Sequence, residues 1–274
     1  RPADEILREV ERLVAAGYRE VMLLGQNVNS YRDASGTSAS TRFPELLRRV
    51  GQTDGLWRLR FTTSHPKDLS QALLLAMAET PTACEHLHLP IQAGDDEVLA
   101  RMGRGYTYAH YKDLVDRARE IMPGLAITTD VMVGFPGETE AQFERTLQAF
   151  EEIRYDQAFM FKYSDRPGTR AEGFADKVSE ADKQNRLERL VALQNETSRA
   201  INQGQVGESF EVLVEGHDAK HPDKLRGRTR QNKLMVFDGP AHLIGQRVPV
   251  TAREGFLWGF LGERADAVAV RPSV

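Results

Sequence analysis

Apolar residues recur at helical spacing from the start of the chain, where Ile6, Leu7, Val10, Leu13 and Val14 predict a helix over residues 3–16 that Gly17 ends. From there the period alternates. Strand-like runs cover residues 20–24, 58–64, 125–133 and 157–163, with another through His86 and His88, and helical spacing fills the intervals at 43–50, 69–79, 108–121 and from Thr139 onward. Strand and helix alternating through five strands predict a parallel sheet or an incomplete barrel. A long helix over 179–202 follows, with Leu187, Leu190, Val191 and Ile201 as its stripe. Beyond Gly204 the period becomes two, in Phe210, Val212, Val214; Leu234, Val236; Val248, Val250; and Phe256, Trp258, Phe260. Short strands with glycine turns predict a small antiparallel β-barrel, and so two domains, residues 1–204 and 205–274.

The stretch HLHLPIQAGDDEVLARMGRGY, residues 86–106, organises the first domain. An apolar strand ends in Pro90-Ile91-Gln92, breaks at Gly94 and restarts as a short helix that Asp95 or Asp96 caps, with Val98, Leu99 and Met102 on its buried side. Strand alternation puts His88, Pro90 and Gln92 on one face. Such junctions lie at the carboxyl ends of parallel strands, where α/β proteins bind ligands. Gly25-Gln26-Asn27, Ser64-His65, the run from Asp130 to Gly137 and Ser164-Asp165-Arg166 fall at the other strand ends. Any one alone is a solvated loop or a helix cap; together they form a polar ring around one mouth. Residues 34–41, rich in Ser and Thr, read as a mobile loop.

At 274 residues, 41% hydrophobic and 28% charged, the chain is long enough for one large core plus a small second unit, and too apolar to be disordered. A net charge of −4 gives no general attraction for nucleic acid, so a basic site has to be local. Lys220, Lys224, Arg226, Arg228, Arg230 and Lys233 supply one, opposed over that stretch only by Asp223. The ribbon is either a solvated edge that resists aggregation or, beside Phe237, Phe256 and Trp258, a nucleic-acid surface. No apolar run reaches the length of a membrane span and no signal-peptide pattern opens the chain, which makes a cytoplasmic location the expectation. Cys84 is the only cysteine, excluding an internal disulfide. With His86 and His88 it alternates along a strand as a zinc site would, although a lone cysteine is more often a small buried hydrophobe. The start at Arg1-Pro2, without methionine and directly in a helical pattern, predicts further residues upstream.

Five segments, LLGQNVNSY (23–31), FTTSHP (61–66), HLHLPIQAGDDEVLARMGRGYT (86–107), TTDVMVGFPGET (128–139) and YSDRPGT (163–169), closely resemble in that order the methylthiotransferases of the radical S-adenosylmethionine superfamily. LRGRTRQNKLMVF (225–237) resembles the RNA-binding TRAM domain that ends those enzymes. The first segment is similar to the tRNA-modifying branch. The resemblance implies an α/β fold, an open partial (β/α) barrel followed by the small TRAM barrel. It implies a transferase for tRNA with an isopentenylated adenosine at position 37. There a methylthio group enters C2 of the base after a reduced iron–sulfur cluster has cleaved S-adenosylmethionine to a deoxyadenosyl radical. It also implies two 4Fe–4S clusters and leaves the sulfur donor open; a monomer is the expectation, which the sequence itself does not reveal.

By the same resemblance Gln26 and Asn27 contact the methionine amino group of the cofactor, Ser64, Gln92 and Asp130 line its pocket, and Arg104 meets its carboxylate. Phe159, Phe161 and Arg166 offer surfaces on which base or cofactor stacks. The cluster ligands do not follow the family. Those enzymes use a C-x3-C-x2-C segment and three further cysteines upstream, and Cys84 matches neither set. The chain therefore reads as the cofactor-pocket and RNA-binding portion of a longer enzyme, lacking the first barrel strand, inactive alone, with residues 20–24 as an exposed apolar edge. Other readings stay open: a non-enzymatic RNA-binding module, a barrel enzyme with His65 or His88 as general base, or a methylthiotransferase for threonylcarbamoyladenosine or a ribosomal protein.

Overall fold

The structure, a computed structural model, describes residues 1–33, 41–62 and 64–264, so Thr63 and all but the last residue of the expected 34–41 loop lie outside the described residues. The chain divides into two compact units, Arg1–Gln194 and Asn195–Val274. In the first, β1 (Glu20–Leu24) pairs in parallel with β2 (Arg58–Thr62), and β3 (His86–His88), β4 (Ala126–Val133) and β5 (Gln157–Lys162) form a second parallel sheet in that order. A single parallel bridge, Leu59 to Ala83, connects β2 to the approach to β3. The crossovers carry α2 (Phe43–Gly51), α3 (Gln71–Glu79), the consecutive pair α4 (Asp96–Arg101) and α5 (Tyr108–Ile121), and α6 (Glu140–Ile153); α1 (Ala3–Ala15) precedes β1 and α7 (Glu180–Gly204) follows β5.

Local chemistry sets these bounds. Gly17 takes φ +99° behind α1, a conformation a side chain would strain. Thr139 and Gln142 cap α6 reciprocally, each side chain meeting the other residue's backbone. Helix α3 starts later than residue 69, because Pro66–Asp68 winds as a 3-10 turn and Ser70 Oγ then accepts from Leu73 N at 3.2 Å. Asp95, not Asp96, caps α4 by accepting from Val98 N at 3.0 Å. Gly94 before it has no room for a side chain, since a Cβ there would lie 2.6 Å from Thr146 Cα on α6.

Strand β2 is buried on both faces, as a parallel strand with covered faces should be. Leu59 and Phe61 enter the main core with Phe43, Leu47 and Leu73. Arg58 and Arg60, 0% and 3% exposed, point the other way to Glu20 on β1, at 3.7 and 3.2 Å. Among the described residues β1 pairs with β2 alone, and its Leu24 is 73% exposed. Beside it, a cavity of about 380 Å³ is lined by Ile6, Val10 and Leu13 of α1 and by Val21, Leu23 and Phe43.

The second unit is a closed five-stranded barrel of β6 (Ser209–His217), β7 (Leu225–Thr229), β8 (Leu234–Phe237), β9 (Arg247–Phe256) and β10 (Gly259–Arg264), in the ring order β10-β8-β7-β6-β9. Its core holds Phe210, Val212, Val214, Leu225, Met235, Phe237, Val250 and Phe260. The expectation of a wholly antiparallel barrel fails at one seam, where β10 pairs with β8 in parallel. Five strands cannot alternate direction all the way round a closed ring, so one pair has to run together. Phe256, Trp258 and Phe260 likewise do not share one strand: the chain turns at Leu257-Trp258, ending β9 and starting β10.

The link between β3 and β4 positions everything beyond His88. The Thr129 hydroxyl, fully buried, accepts from Ile91 N at 2.8 Å and donates to Leu89 O at 2.9 Å. Valine has the same shape without the hydroxyl, so Thr129→Val leaves the buried Ile91 N–H unpaired. It should cost about 1–3 kcal/mol, read as a lower urea midpoint at unchanged m-value.

Candidate functional site

Past Leu24 the chain enters Gly25-Gln26-Asn27, anchored where Gly25 N donates to Thr62 O at 3.2 Å. Gln26 is exposed. Asn27 turns inward: its Nδ2 donates to Asp68 Oδ2 at 2.6 Å, and its Oδ1 is buried with no partner. Asn29 fastens this loop to the next strand end, donating to His65 O at 3.0 Å and accepting from His65 N at 3.1 Å. Ser64 is 2% exposed and its Oγ also lacks a partner.

His65 meets Tyr106 edge-on, with ring centroids 5.6 Å apart. Burial lowers the His65 pKa from its ordinary value, and the Arg104 guanidinium lowers it further against the opposing pull of Asp68. The imidazole is therefore neutral at pH 7. The Tyr106 hydroxyl donates to Ile91 O at 3.0 Å and lies 3.2 Å from Pro90 O, tying the Arg104 loop to the end of β3. Burial raises that phenol to about 12. Arg104 Nε is the third buried polar atom in this neighbourhood without a partner.

A second cluster lies along β3, β4 and β5. His86 Nε2 and His88 Nδ1 share Thr128 Oγ1 at 3.1 and 3.0 Å, and His88 Nε2 lies 3.4 Å from Asp130 Oδ1. In register, Asp130 sits opposite Phe159 and Met132 opposite Phe161, so these four share one face. Phe159 meets His88 edge-on at 6.0 Å and both phenylalanines are about half exposed. Gln92 does not continue the His88 face by strand alternation. It has φ +68°, the left-handed region, and bridges β4 through its own N–H to Asp130 O and through Met132 N–H to its carbonyl, each at 2.9 Å.

Arg104 and Arg166 meet in a cavity of about 310 Å³ with Met132, Phe135 and Tyr163. Of the sequence-predicted residues, Asn27 and Ser64 stand at two strand ends tied together through Asn29 and His65, Asp130, Phe159 and Phe161 share the β4–β5 face, Arg104 and Arg166 line one cavity, Gln92 reaches β4 through its backbone, and Gln26 is exposed. Reading from the sequence missed Asp68, the partner that fixes Asn27, although it lies two residues past the FTTSHP segment. It also missed Glu138, which accepts from Gly134 N at 2.6 Å and Arg186 Nη1 at 2.9 Å and so fixes the turn after β4. A buried arginine partner supplied by α7 leaves no local sequence signal. No group of three or more His, Cys, Asp or Glu side chains among the described residues is placed to hold a metal ion.

In the barrel the six cations differ. Lys233 is buried, donating to Asn202 Oδ1 at 3.0 Å and Gln205 Oε1 at 2.7 Å, with Nζ 5.8 Å from the Phe260 ring centre. Lys224 pairs with Asp238 at 2.9 Å. Arg226 and Arg228 project from the outside of β7, whose Leu225, Gly227 and Thr229 face inward. Arg228 Nη1 donates to Asn232 O at 3.0 Å across the turn that carries Arg230. Lys220 is exposed. Of the neighbouring aromatics, Phe237 is core, whereas Phe256 and Trp258 are exposed.

The radical SAM superfamily matches residues 1–150, and the TRAM domain matches residues 203–255. The chain is 48% identical over 263 residues to the tRNA-2-methylthio-N(6)-dimethylallyladenosine synthase of Carboxydothermus hydrogenoformans, covering 96% of this chain and 59% of that protein. The figures are the same for the synthase of that name from Syntrophomonas wolfei. The chain thus spans about three-fifths of the length of these curated relatives. Among solved structures, coproporphyrinogen III oxidase from Escherichia coli, described as a radical SAM enzyme, superposes with a TM-score of 0.54 at 16% identity, over 83% of this chain and 60% of that one. That likeness concerns the fold alone. With more than half its length matched by the superfamily, the chain belongs to the radical SAM superfamily and carries a TRAM domain behind that region.

Proposed function

We propose that the first unit is the S-adenosylmethionine pocket, and the second the RNA-binding part, of a tRNA methylthiotransferase acting at C2 of N6-isopentenyladenosine 37. The carrying observation is that Asn27 Oδ1 and Ser64 Oγ, on the loops after β1 and β2, and Arg104 Nε, on the loop between α4 and α5, are buried and unpartnered. Buried polar atoms in folded proteins are nearly always paired, so three in one neighbourhood suit a ligand with complementary groups. The cofactor has them: an ammonium for the two oxygens, a carboxylate for the guanidinium. Asp68 takes the Asn27 amide nitrogen, which leaves the buried oxygen as the group available to a ligand. Asp130 and Gln92 supply acceptors for ribose hydroxyls, and Phe159 and Phe161 present ring faces beside them. On this reading the two parallel sheets are parts of one open partial barrel, with the pocket at its carboxyl-end mouth.

The cluster does not fit these residues. Iron–sulfur clusters need three or four thiolates, and Cys84 is the only cysteine and is buried. Its ligands are assigned to parts of the longer relatives that this chain does not span. When bound, the cluster supplies the electron that cleaves the cofactor; the residues here bind, orient and keep water out. The synthases' names supply the substrate, and the exposed Lys220 with the half-buried Arg226, Arg228 and Arg230 suits its phosphates. The enzyme is taken to be a cytoplasmic monomer. The test is methylthio transfer to isopentenylated tRNA by the longer protein after anaerobic reconstitution. Transfer to threonylcarbamoyladenosine or to a ribosomal protein instead would move the chain to another branch.

In the longer protein, Asn27→Ala and Ser64→Ala should weaken cofactor binding at least tenfold by equilibrium dialysis and leave tRNA affinity within about twofold, a difference under about 0.5 kcal/mol. Unchanged cofactor affinity would remove both residues from the site.

His65 gives a second readout. Its depressed pKa means the unfolded chain binds the proton more readily, so stability falls as pH drops below the ordinary histidine value of about 6.5. Arg104→Gln removes one depressing charge. The His65 titration followed by NMR should then move upward and the acid-side loss of stability should shrink; saturation with the cofactor, whose carboxylate neutralises Arg104, should act in the same direction.

In the barrel, Arg226→Ala with Arg228→Ala and Arg230→Ala should flatten the salt dependence of tRNA binding, by slightly under one slope unit for each phosphate no longer neutralised. Lys233→Ala should behave differently. It breaks two buried hydrogen bonds and should lower stability by about 1–3 kcal/mol in denaturant titrations, with little change in salt slope.

A further inference from the structure

Phe256 and Trp258, 41% and 61% exposed, flank the turn between β9 and β10. Scattered exposed aromatics need no explanation, but these two sit on backbone pinned from both sides. Leu234 N donates to Trp258 O at 3.3 Å and Asn202 Nδ2 donates to Phe256 O at 2.5 Å. Gly255 and Gly259 approach the backbones of Asn202 and Leu234 so closely that a Cβ on either would collide. The turn is held rigidly while its rings face solvent.

Its neighbour is the basic turn. Arg228, Leu234 and Gly259 lie side by side in register on β7, β8 and β10. At a strand spacing of about 4.8 Å, the Arg228 backbone is roughly 10 Å from the base of Trp258, within reach of a long side chain. The turn between β7 and β8 carries Arg230 and is braced by the Arg228 bond to Asn232, itself at φ +64°. An exposed indole on a pinned turn within side-chain reach of Arg228, with Phe256 one strand further on, offers a π surface and a phosphate partner about one nucleotide apart. An apolar protein partner would be poorly matched by the two arginines.

We propose that this paired turn is a stacking site for an unpaired RNA base, Trp258 and Phe256 receiving the base and Arg228 and Arg230 the adjoining phosphates. The proposal rests on the RNA-binding reading and deepens it: a base stacked within a duplex hides its faces, so the site selects single-stranded or looped RNA over duplex.

Trp57 and Trp258 are the only tryptophans, so Trp57→Phe leaves Trp258 as the sole emitter. The 274-residue chain with this change is titrated with a short single-stranded oligoribonucleotide and with the same strand annealed into a duplex. Single strands should quench Trp258 emission, and duplex at equal occupancy should not. Trp258→Ala, tested in the unmodified chain, should weaken single-strand binding roughly tenfold, about 1.4 kcal/mol, with an unchanged salt slope, while Trp258→Phe retains most of the affinity. Single-strand binding with unchanged emission, or equal quenching by duplex, overturns the stacking site while leaving RNA binding standing. No binding of either RNA overturns both readings. An emission change that tracks protein concentration without RNA overturns the proposal in favour of a second copy of the chain.

Discussion

One buried hydroxyl holds together the stretch of the first unit that follows His88. Beyond His88 the chain cannot continue as a regular strand, because Pro90 has no N–H to give the ladder. Thr129 takes over the hydrogen bonding there, accepting from Ile91 and donating to Leu89. Regular contact with β4 resumes only at Gln92. Tyr106 and Tyr111 complete the arrangement by donating to Ile91 O and Leu89 O, at 3.0 and 2.6 Å. Each carbonyl and amide of this short irregular stretch is thereby fixed, which allows Gln92 to adopt a left-handed conformation and the loop bearing Arg104 to be tied to the strand end.

Where local signals sufficed, the sequence was legible. The five parallel strands, the helix opening at Thr139 and the change of period after Gly204 all depend on patterns within a few residues, and the structure has them close to where the pattern put them. What escaped is nonlocal. The partner of Asn27 is 41 residues away, and that of Glu138 lies 48 residues on in α7. Strand alternation also failed at Gln92, for a backbone reason that an apolar run does not reveal. The resemblance supplied what periodicity could not, since it attached chemistry to strand ends that are otherwise only polar.

Charge was the least legible property. Six cations in one ribbon read as a single surface, yet a count weighs a buried Lys233 the same as an exposed Lys220. Burying a charge is costly unless hydrogen bonds replace its water, and Asn202 and Gln205 do so for Lys233. The same rule governs β2, where Arg58 and Arg60 alternate with core residues and a reading by period alone would send them to solvent. Glu20 at the matching position of β1 turns them inward instead. In both units, then, some charged residues that a linear reading assigns to surface or ligand are part of the fold.

Barrel closure shows how an architectural rule can bring two distant turns together. An odd number of strands forces one parallel seam, and here it falls between β8 and β10. Parallel neighbours begin at the same end, so the turns that precede them are adjacent. Those are the Thr229–Lys233 turn, with Arg230, and the Phe256–Gly259 turn, with Trp258, joined by the Leu234 to Trp258 hydrogen bond. Had β10 run antiparallel to β8, the same residues would lie at opposite ends of the barrel. Their juxtaposition follows from topology, so neither turn can be moved away from the other without opening the barrel.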